Sequence, residues 1–312
     1  PGLDRVLADA GVAAVVVQGD TASALAGALA GTWQQLPVVH LEAGLRSFDR
    51  ANPFPEESDR KAIAALADLH LAPTPMALAN LRAEGIRGPR ALCIGNTVVD
   101  AGELSHAAAL AGDARATSTD GLRRVLVTIH RRENWGAPLT GVLEALERIV
   151  AAVPDIEVVI PVHPNPTVRA VISSRLGGVE RVHIVDALGH AAFIEQLAGS
   201  TLVLTDSGGV QEEAPAFGVP VLVLRETTER PEAVAAGSAE LIGTAPDAIV
   251  ARACQLLLDE DARQRMAGVS NPFGDGRSGE RAVAAVASLL GVGLPPEPWV
   301  PAEGNARPMA RV

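Results

Sequence analysis

The chain alternates short β-branched apolar runs with longer segments in which apolar residues recur every three or four positions, the pattern of buried parallel strands joined by helices. A helix is expected over Leu3 to Ala10, a strand at Val15 to Val17 and an alanine-rich helix at Ala22 to Ala30. Leu36 to Leu41 repeats the strand. A helix starts at Glu56 and another covers Met76 to Gly85, with strands at Asp68 to Pro73 and Ala91 to Ile94. A second run of the same kind opens with a strand at Arg123 to Thr128, a helix at Leu139 to Val153 and strands at Ile156 to Ile160 and Val182 to Val185. It goes on through a helix at Ala191 to Leu197, strands at Thr201 to Leu204 and Val219 to Leu224, and a short last strand at Leu241 to Thr244. One long helix is expected at Asp247 to Ala267 and another at Gly276 to Leu290. Such alternation predicts an α/β protein with two Rossmann-like domains built on parallel sheets. The Ala, Gly and Asp-rich stretch Asp100 to Thr119 marks the boundary. The expected division is 1–110, 111–275, a helix within 276–290 returning to the first domain, and a flexible tail at 291–312.

Composition and charge narrow this picture further. The 312 residues are enough for two domains with real cores, and with 3% aromatics and no tyrosine those cores must be built from Ala, Val, Leu and Ile. A net charge of −11 argues against a nucleic-acid or membrane-surface partner, so an anionic substrate would need a local pocket of positive charge. Cys93 and Cys254 sit in apolar strand and helix contexts and read as buried thiols in a reducing compartment. No run reaches membrane-spanning length and no leader-like pattern opens the chain, so a cytoplasmic location is expected. No Cys/His cluster has metal-ligand spacing, and no metal is expected.

In open parallel sheets the loops after the strand carboxyl ends carry the site. Asp20 stands at such an end, with helix N-capping as its plainer role. Glu42 ends the PVVHLEAG strand, with Arg46 one turn on. Glu56 lies in a first helical turn, where the dipole alone would favour an acid, and Arg60 follows at the i+4 spacing. Converging carboxylates raise one another's pKa, which equips some as acids and others as bases. His70, between two leucines, reads as a satisfied core residue. In the second half, His130, Arg131, Arg132 and Glu133 follow a strand as the densest positive cluster, able to offset a diphosphate; a solvated turn of paired Arg and Glu is the alternative. His130 could also move a proton near neutral pH. His163 follows the next strand, while His183 and His190 flank another and could simply cap a helix. The turn Asp206, Ser207, Gly208, Gly209 opens a helix whose free backbone N–H groups suit a phosphate, and glycine lets the ligand come close. Glu213 could accept hydrogen bonds from ribose hydroxyls, and Arg230 could grip a phosphate or carboxylate with two bonds. A plain strand-turn-helix with a solvated acidic face is the alternative.

The segment DSGGVQEEAPAFGVPVLVLRETTERPEAVAAGSAELIGT resembles the signature of the non-hydrolysing UDP-N-acetylglucosamine 2-epimerases. VVVQGDT, HLEAGLRS, PFPEESDR, GNTVVD, VTIHRREN and PVHPNP resemble further blocks of that family in the same order, so the likeness runs to about Leu290. It implies a GT-B-like fold, two Rossmann-like domains facing a cleft. It implies interconversion of UDP-N-acetylglucosamine and UDP-N-acetylmannosamine by UDP elimination to a 2-acetamidoglucal and re-addition, for bacterial cell-surface polysaccharide precursors. Matched by motif, the acid and base candidates fall on Asp20, Glu42 and Glu56 and the essential histidine on His130. The UDP contacts fall on His163, Ser207, Gly208, Gly209, Glu213 and Arg230, with Arg131 beside the diphosphate. No metal or redox cofactor is implied; a homodimer is. The family's opening strand with its GTRPE-like loop, and its QHR-type segment, have no counterpart here, since the chain starts at Pro1 within the helix before VVVQGDT. The first domain is therefore expected to be incomplete at its amino end, with Val15 to Gln18 as an uncovered apolar edge. Gln18 stands where His is frequent and Phe54 where Trp is frequent. A GT-B glycosyltransferase, a hydrolysing epimerase and a non-catalytic sugar-nucleotide sensor are the other readings.

Overall fold

A computed structural model describes residues 2–51, 53–111, 121–131, 134–162 and 165–301. In chain order the elements are α1 (Gly2–Ala10), β1 (Val15–Gln18), α2 (Ala22–Trp33), β2 (Val38–Leu41), α3 (Glu56–Leu66), β3 (Leu69–Ala72), α4 (Pro75–Ala83), β4 (Ala91–Cys93) and α5 (Thr97–Ala111). There follow β5 (Arg123–Thr128), α6 (Ala137–Ala152), β6 (Ile156–Pro161), α7 (Pro166–Leu176), β7 (Val182–Val185), α8 (His190–Ala198), β8 (Ser200–Thr205) and α9 (Gly208–Glu213). The last are β9 (Val221–Val223), α10 (Pro231–Ala236), β10 (Ala239–Leu241), α11 (Pro246–Leu258), α12 (Glu260–Ala267) and α13 (Ser278–Leu289). These residues form two compact units, one running to Asp100 and taking in Phe273–Pro301, the other spanning Ala101–Pro272.

The first unit holds four parallel strands in the order β1-β2-β3-β4. Successive strand residues face opposite sides. Val38 accordingly joins Val17, Ala24, Ala28, Ile63 and Ala67 under α2 and α3, while its neighbour Val39 joins Leu69, Leu71 and Ala285 of α13. β1 is the sheet's edge among the described residues, and Val16 on it is 52% exposed. Gly44, at φ +91°, follows β2 where an added Cβ would run into the Ala77 carbonyl, so α4 can pack this close only on a glycine. The expectation of a flexible tail from Gly291 fails at Trp299, whose ring is buried with Cys93 and Leu81 and whose backbone N–H donates to the Cys93 carbonyl at 2.8 Å. The expected boundary stretch Asp100 to Thr119 is helical as far as Ala111, and residues 112–120 and 302–312 lie outside the described residues.

The second unit holds six parallel strands in the order β10-β9-β8-β5-β6-β7. Counted from β5 this is the doubly wound order 3-2-1-4-5-6, whose strand direction of travel reverses between β5 and β8. One face, onto which Val125, Val127, Leu202 and Leu204 point, is filled by aliphatic side chains from α6, α7 and α11, including Leu143, Leu146, Ile172 and Leu256. Three departures from the expected elements have local causes. The long helix predicted at Asp247 to Ala267 is broken at Asp259, which is extended and caps α12 by accepting from Ala262 N. α7 and α10 were not foreseen: both begin at a proline after a polar stretch, and Asn165 caps α7 by accepting from Thr167 N. The last strand begins at Ala239, ahead of the expected Leu241, because it pairs with Val221 and is turned aside at Gly243, φ +64°. Cys93 is buried, which pushes its thiol up to about 11, but Cys254 is only half-buried. Among the described residues no helix is long and apolar enough to cross a membrane.

His40 and His70 are register partners on β2 and β3, 1% and 0% exposed. His40 bonds the Gly19 carbonyl, whereas among the described residues neither ring nitrogen of His70 makes a sound hydrogen bond, so His70 is a core residue but not a satisfied one. Burial pushes both down to about 4. Unfolded histidines take up protons near pH 6.5, and these two resist until about pH 4. Their stabilising preference for the neutral form is therefore whole above pH 6.5 and is withdrawn as pH falls toward 4, by on the order of 1 kcal/mol per histidine per pH unit. The urea midpoint is expected to drop between pH 7 and pH 5, and to drop less in His70→Leu.

Candidate functional site

In the first unit three polar turns meet at the carboxyl edge of the sheet. β1 ends at Gln18, Gly19 turns the chain at φ +70°, and Asp20 follows. Thr21, not Asp20, caps α2 by accepting from Ala24 N at 3.2 Å. Asp20 is thereby left for Arg60, whose Nη2 lies 2.6 Å from its carboxylate. The His40 ring braces the turn through Gly19 O at 2.9 Å. Glu42 follows β2 in the left-handed region, φ +59°, an uncommon and strained conformation for a residue with a long side chain. Its carboxylate takes a bond from Gln18 Nε2 at 3.3 Å and lies against Gly19.

Arg60 makes its helical contact with Glu57, at 3.1 Å, rather than with Glu56 at the expected i+4 spacing. Glu57 is fully buried and also accepts from Ser47 N at 3.0 Å. Glu56, first residue of α3, keeps a buried Oε2 that makes no hydrogen bond among the described residues. Asp20 and Glu42 are therefore adjacent on neighbouring turns, and Arg60 ties the acidic first turn of α3 to Asp20. Arg46 belongs to the scaffold: its guanidinium grips Glu84 with two bonds, at 2.9 and 2.6 Å, and holds that carboxyl down at about 2.

In the second unit the turns after β5 and β8 emerge side by side at the point of strand-order reversal, the place where such sheets bind ligands. Ser207 stands at the N-cap position without a side-chain cap bond, and α9 opens at Gly208, within the four residues expected to form the turn. Asp206, read from sequence only as part of the glycine turn, is fully buried and accepts from the backbone and ring of His130, from Arg131 N and from Asn134 Nδ2. Burial pushes its carboxyl up, but these donors hold it below its ordinary value.

The arginines are not bare. Arg131 donates to the Asp206 carbonyl at 2.9 Å and pairs with Glu229, which also takes Arg225 at 2.6 Å. Burial opposes ionisation of Glu229, yet the two arginines bring it down to about 2. Arg230 pairs with Glu212, and Thr228 links its backbone to Gln211. A Cβ added to Gly208 would lie 2.9 Å from the Glu229 carboxylate, so a carboxylate already sits against the glycine turn. Glu213 is 7% exposed and faces His190 at 3.3 Å; burial raises its carboxyl and His190 partly offsets that. His190 was assigned no role from sequence, and only its place at the start of α8 was legible there. His163, Arg132 and Glu133 lie outside the described residues. Among those described, no group of His, Cys, Asp and Glu is arranged to hold a metal ion.

A family model described as UDP-N-acetylglucosamine 2-epimerase matches residues 1–287. The UDP-N-acetylglucosamine 2-epimerase of Bacillus subtilis is 43% identical over 292 residues, covering 90% of this chain and 74% of its own. Among solved structures, the S. aureus MnaA–UDP co-structure is 38% identical with a TM-score of 0.90, over 96% of this chain and 82% of that one. UDP-GlcNAc 2-epimerase from Neisseria meningitidis bound to UDP-GlcNAc is 37% identical with a TM-score of 0.85, over 92% of this chain and 79% of that one.

Proposed function

Because the chain belongs to the UDP-N-acetylglucosamine 2-epimerase family, we propose that it interconverts UDP-N-acetylglucosamine and UDP-N-acetylmannosamine. The sugar C2–H bond breaks as a carboxylate takes the proton, the electron pair forms the C1–C2 double bond, and the C1–O bond breaks with its pair on UDP. Return of a proton to the opposite face of C2 and of UDP to C1 gives the epimer. Atoms and electrons balance without an external oxidant or reductant.

Asp20, Glu42 and Glu56 supply the acid and base, and His130 takes part in the proton transfers. Ser207, the Gly208 and Gly209 backbone, Arg131, Arg230 and His163 hold the diphosphate and uridine, and Glu213 accepts from the ribose. For the arginines to do so, the diphosphate must share or displace the carboxylates of Glu229 and Glu212 that now engage them. What carries the reading is the adjacency of Asp20 and Glu42 at two strand ends, with α3 bound to the same place through Arg60. A homodimer, a cytoplasmic location and a part in making cell-surface polysaccharide precursors complete the proposal.

Incubation with UDP-N-acetylglucosamine in deuterated water, followed by NMR, tests it. Deuterium at C2 with little free UDP is the expected result. Stoichiometric UDP and free sugar would indicate hydrolysis, sugar transfer only to an added acceptor a glycosyltransferase, and unchanged but bound substrate a sensor.

A further inference from the structure

We propose that Asp206 is a positioning residue which locks His130 as the Nδ1–H tautomer and so presents Nε2 as the atom that exchanges a proton with the substrate. The proposal rests on the part given to His130 above.

Among the described residues, every side-chain contact of Asp206 is to a nitrogen. Oδ1 lies 2.9 Å from His130 Nδ1 and 3.1 Å from His130 N. Oδ2 accepts from Arg131 N at 3.0 Å and Asn134 Nδ2 at 2.9 Å, and lies 3.2 Å from His130 N. An ionised carboxylate has only acceptor sites, so the ring nitrogen facing it must carry the hydrogen. The other nitrogen, Nε2, makes no hydrogen bond among the described residues, on a side chain that is 45% exposed. The strand ends that hold the pair are themselves tied together, Thr128 and Thr205 meeting hydroxyl to hydroxyl at 2.5 Å and Thr205 Oγ1 accepting from Ser207 N at 2.9 Å. A fixed buried carboxylate orienting an imidazole is the arrangement that sets tautomer and ring direction in hydrolytic triads.

Asp206 could instead do no more than close the turn after β5, and the tautomer separates the two roles. In Asp206→Asn the amide oxygen is best placed at the Oδ2 position, where Arg131 N and Asn134 Nδ2 need an acceptor. That choice puts the NH₂ group against His130 Nδ1 and forces the hydrogen onto Nε2. The measurement is long-range ¹H–¹⁵N correlation on the ¹⁵N-histidine-labelled full chain, at a pH where the ring is neutral. The expected result is Nδ1–H in the parent and Nε2–H in Asp206→Asn, with C2 deuterium exchange about 10²- to 10⁴-fold slower and UDP affinity within about threefold.

Nε2–H in the parent would overturn the proposal without any variant, and an unchanged tautomer in a folded Asp206→Asn would do the same. A His130→Gln chain that keeps the parental exchange rate would instead remove the proton-transfer role of His130, and with it the catalytic consequence. Spectrum and rate therefore tell the two failures apart.

Discussion

A Glu42→Gln chain is expected to exchange deuterium into C2 of UDP-N-acetylglucosamine about 10²- to 10⁴-fold more slowly than the parent while binding UDP within about threefold as tightly. Glutamine keeps the length of the side chain and an oxygen that can still accept from Gln18 Nε2, so what is lost is the ability to take or return a proton. The nucleotide contacts proposed here belong to the other unit, which is why affinity for UDP should survive. A companion variant sharpens the test. Glu42 is held at φ +59°, where a residue with a Cβ costs about 1–2 kcal/mol and glycine costs nothing beyond about 0.5–1 kcal/mol of unfolded-state freedom. Glu42→Gly should therefore unfold within about 1 kcal/mol of the parent and yet be inactive. A residue whose removal spares stability but stops exchange is strained for the sake of the reaction. Parental exchange in Glu42→Gln, or equal losses of exchange, UDP affinity and stability, would remove Glu42 from the chemistry.

The positions of the carboxylates were readable because a buried parallel strand is an unbroken apolar run that must end at a polar turn, and Gln18-Gly19-Asp20 and Leu41-Glu42 are such ends. Their partners were not readable. Asp20 and Thr21 are both competent caps, and only the backbone at Thr21 settles which one bonds Ala24 N. Arg60 stands three residues from Glu57 and four from Glu56, spacings that a helix serves equally well. Asp20, forty residues upstream in the chain but 2.6 Å away in space, draws the guanidinium to one side. The same holds in the second unit, where the adjacency of β5 and β8 brings Arg131 to Glu229 and Asp206, residues some 75 to 98 positions away. Charge counted along the chain shows an excess of arginine after β5 but not the carboxylate that meets it. The pattern placed Glu213 on a helix and His190 just ahead of one, and their contact depends on how α8 and α9 pack.

Arg60→Met should lower the stability of the chain by about 3–5 kcal/mol, the cost of leaving buried carboxylates without their counter-charge. Arg60 is 8% exposed and serves two acids at once, Asp20 and the fully buried Glu57. Methionine fills a similar volume, so the loss is not that of a cavity. Without the guanidinium, Glu57 retains the single bond from Ser47 N, and its Oε1 already has no partner among the described residues. Asp20, with a side chain 25% exposed, can turn to water and suffers less. Most of the penalty therefore belongs to Glu57, and the double variant Arg60→Met with Glu57→Gln should recover more than half of it: glutamine is neutral yet still accepts from Ser47 N. Arg60→Lys should fall between, because one ammonium cannot present the planar fork that reaches both acids. Urea unfolding of the parent, Arg60→Met, Glu57→Gln and the double variant closes the cycle. A loss under about 1 kcal/mol in Arg60→Met would put this pair with exposed salt bridges and deny Arg60 any part in holding α3 to the strand ends. If the loss is as large as expected but the double variant recovers nothing, then Asp20 is the acid that depends on Arg60, and the ion pair is a cost the first unit bears to keep that carboxylate in place.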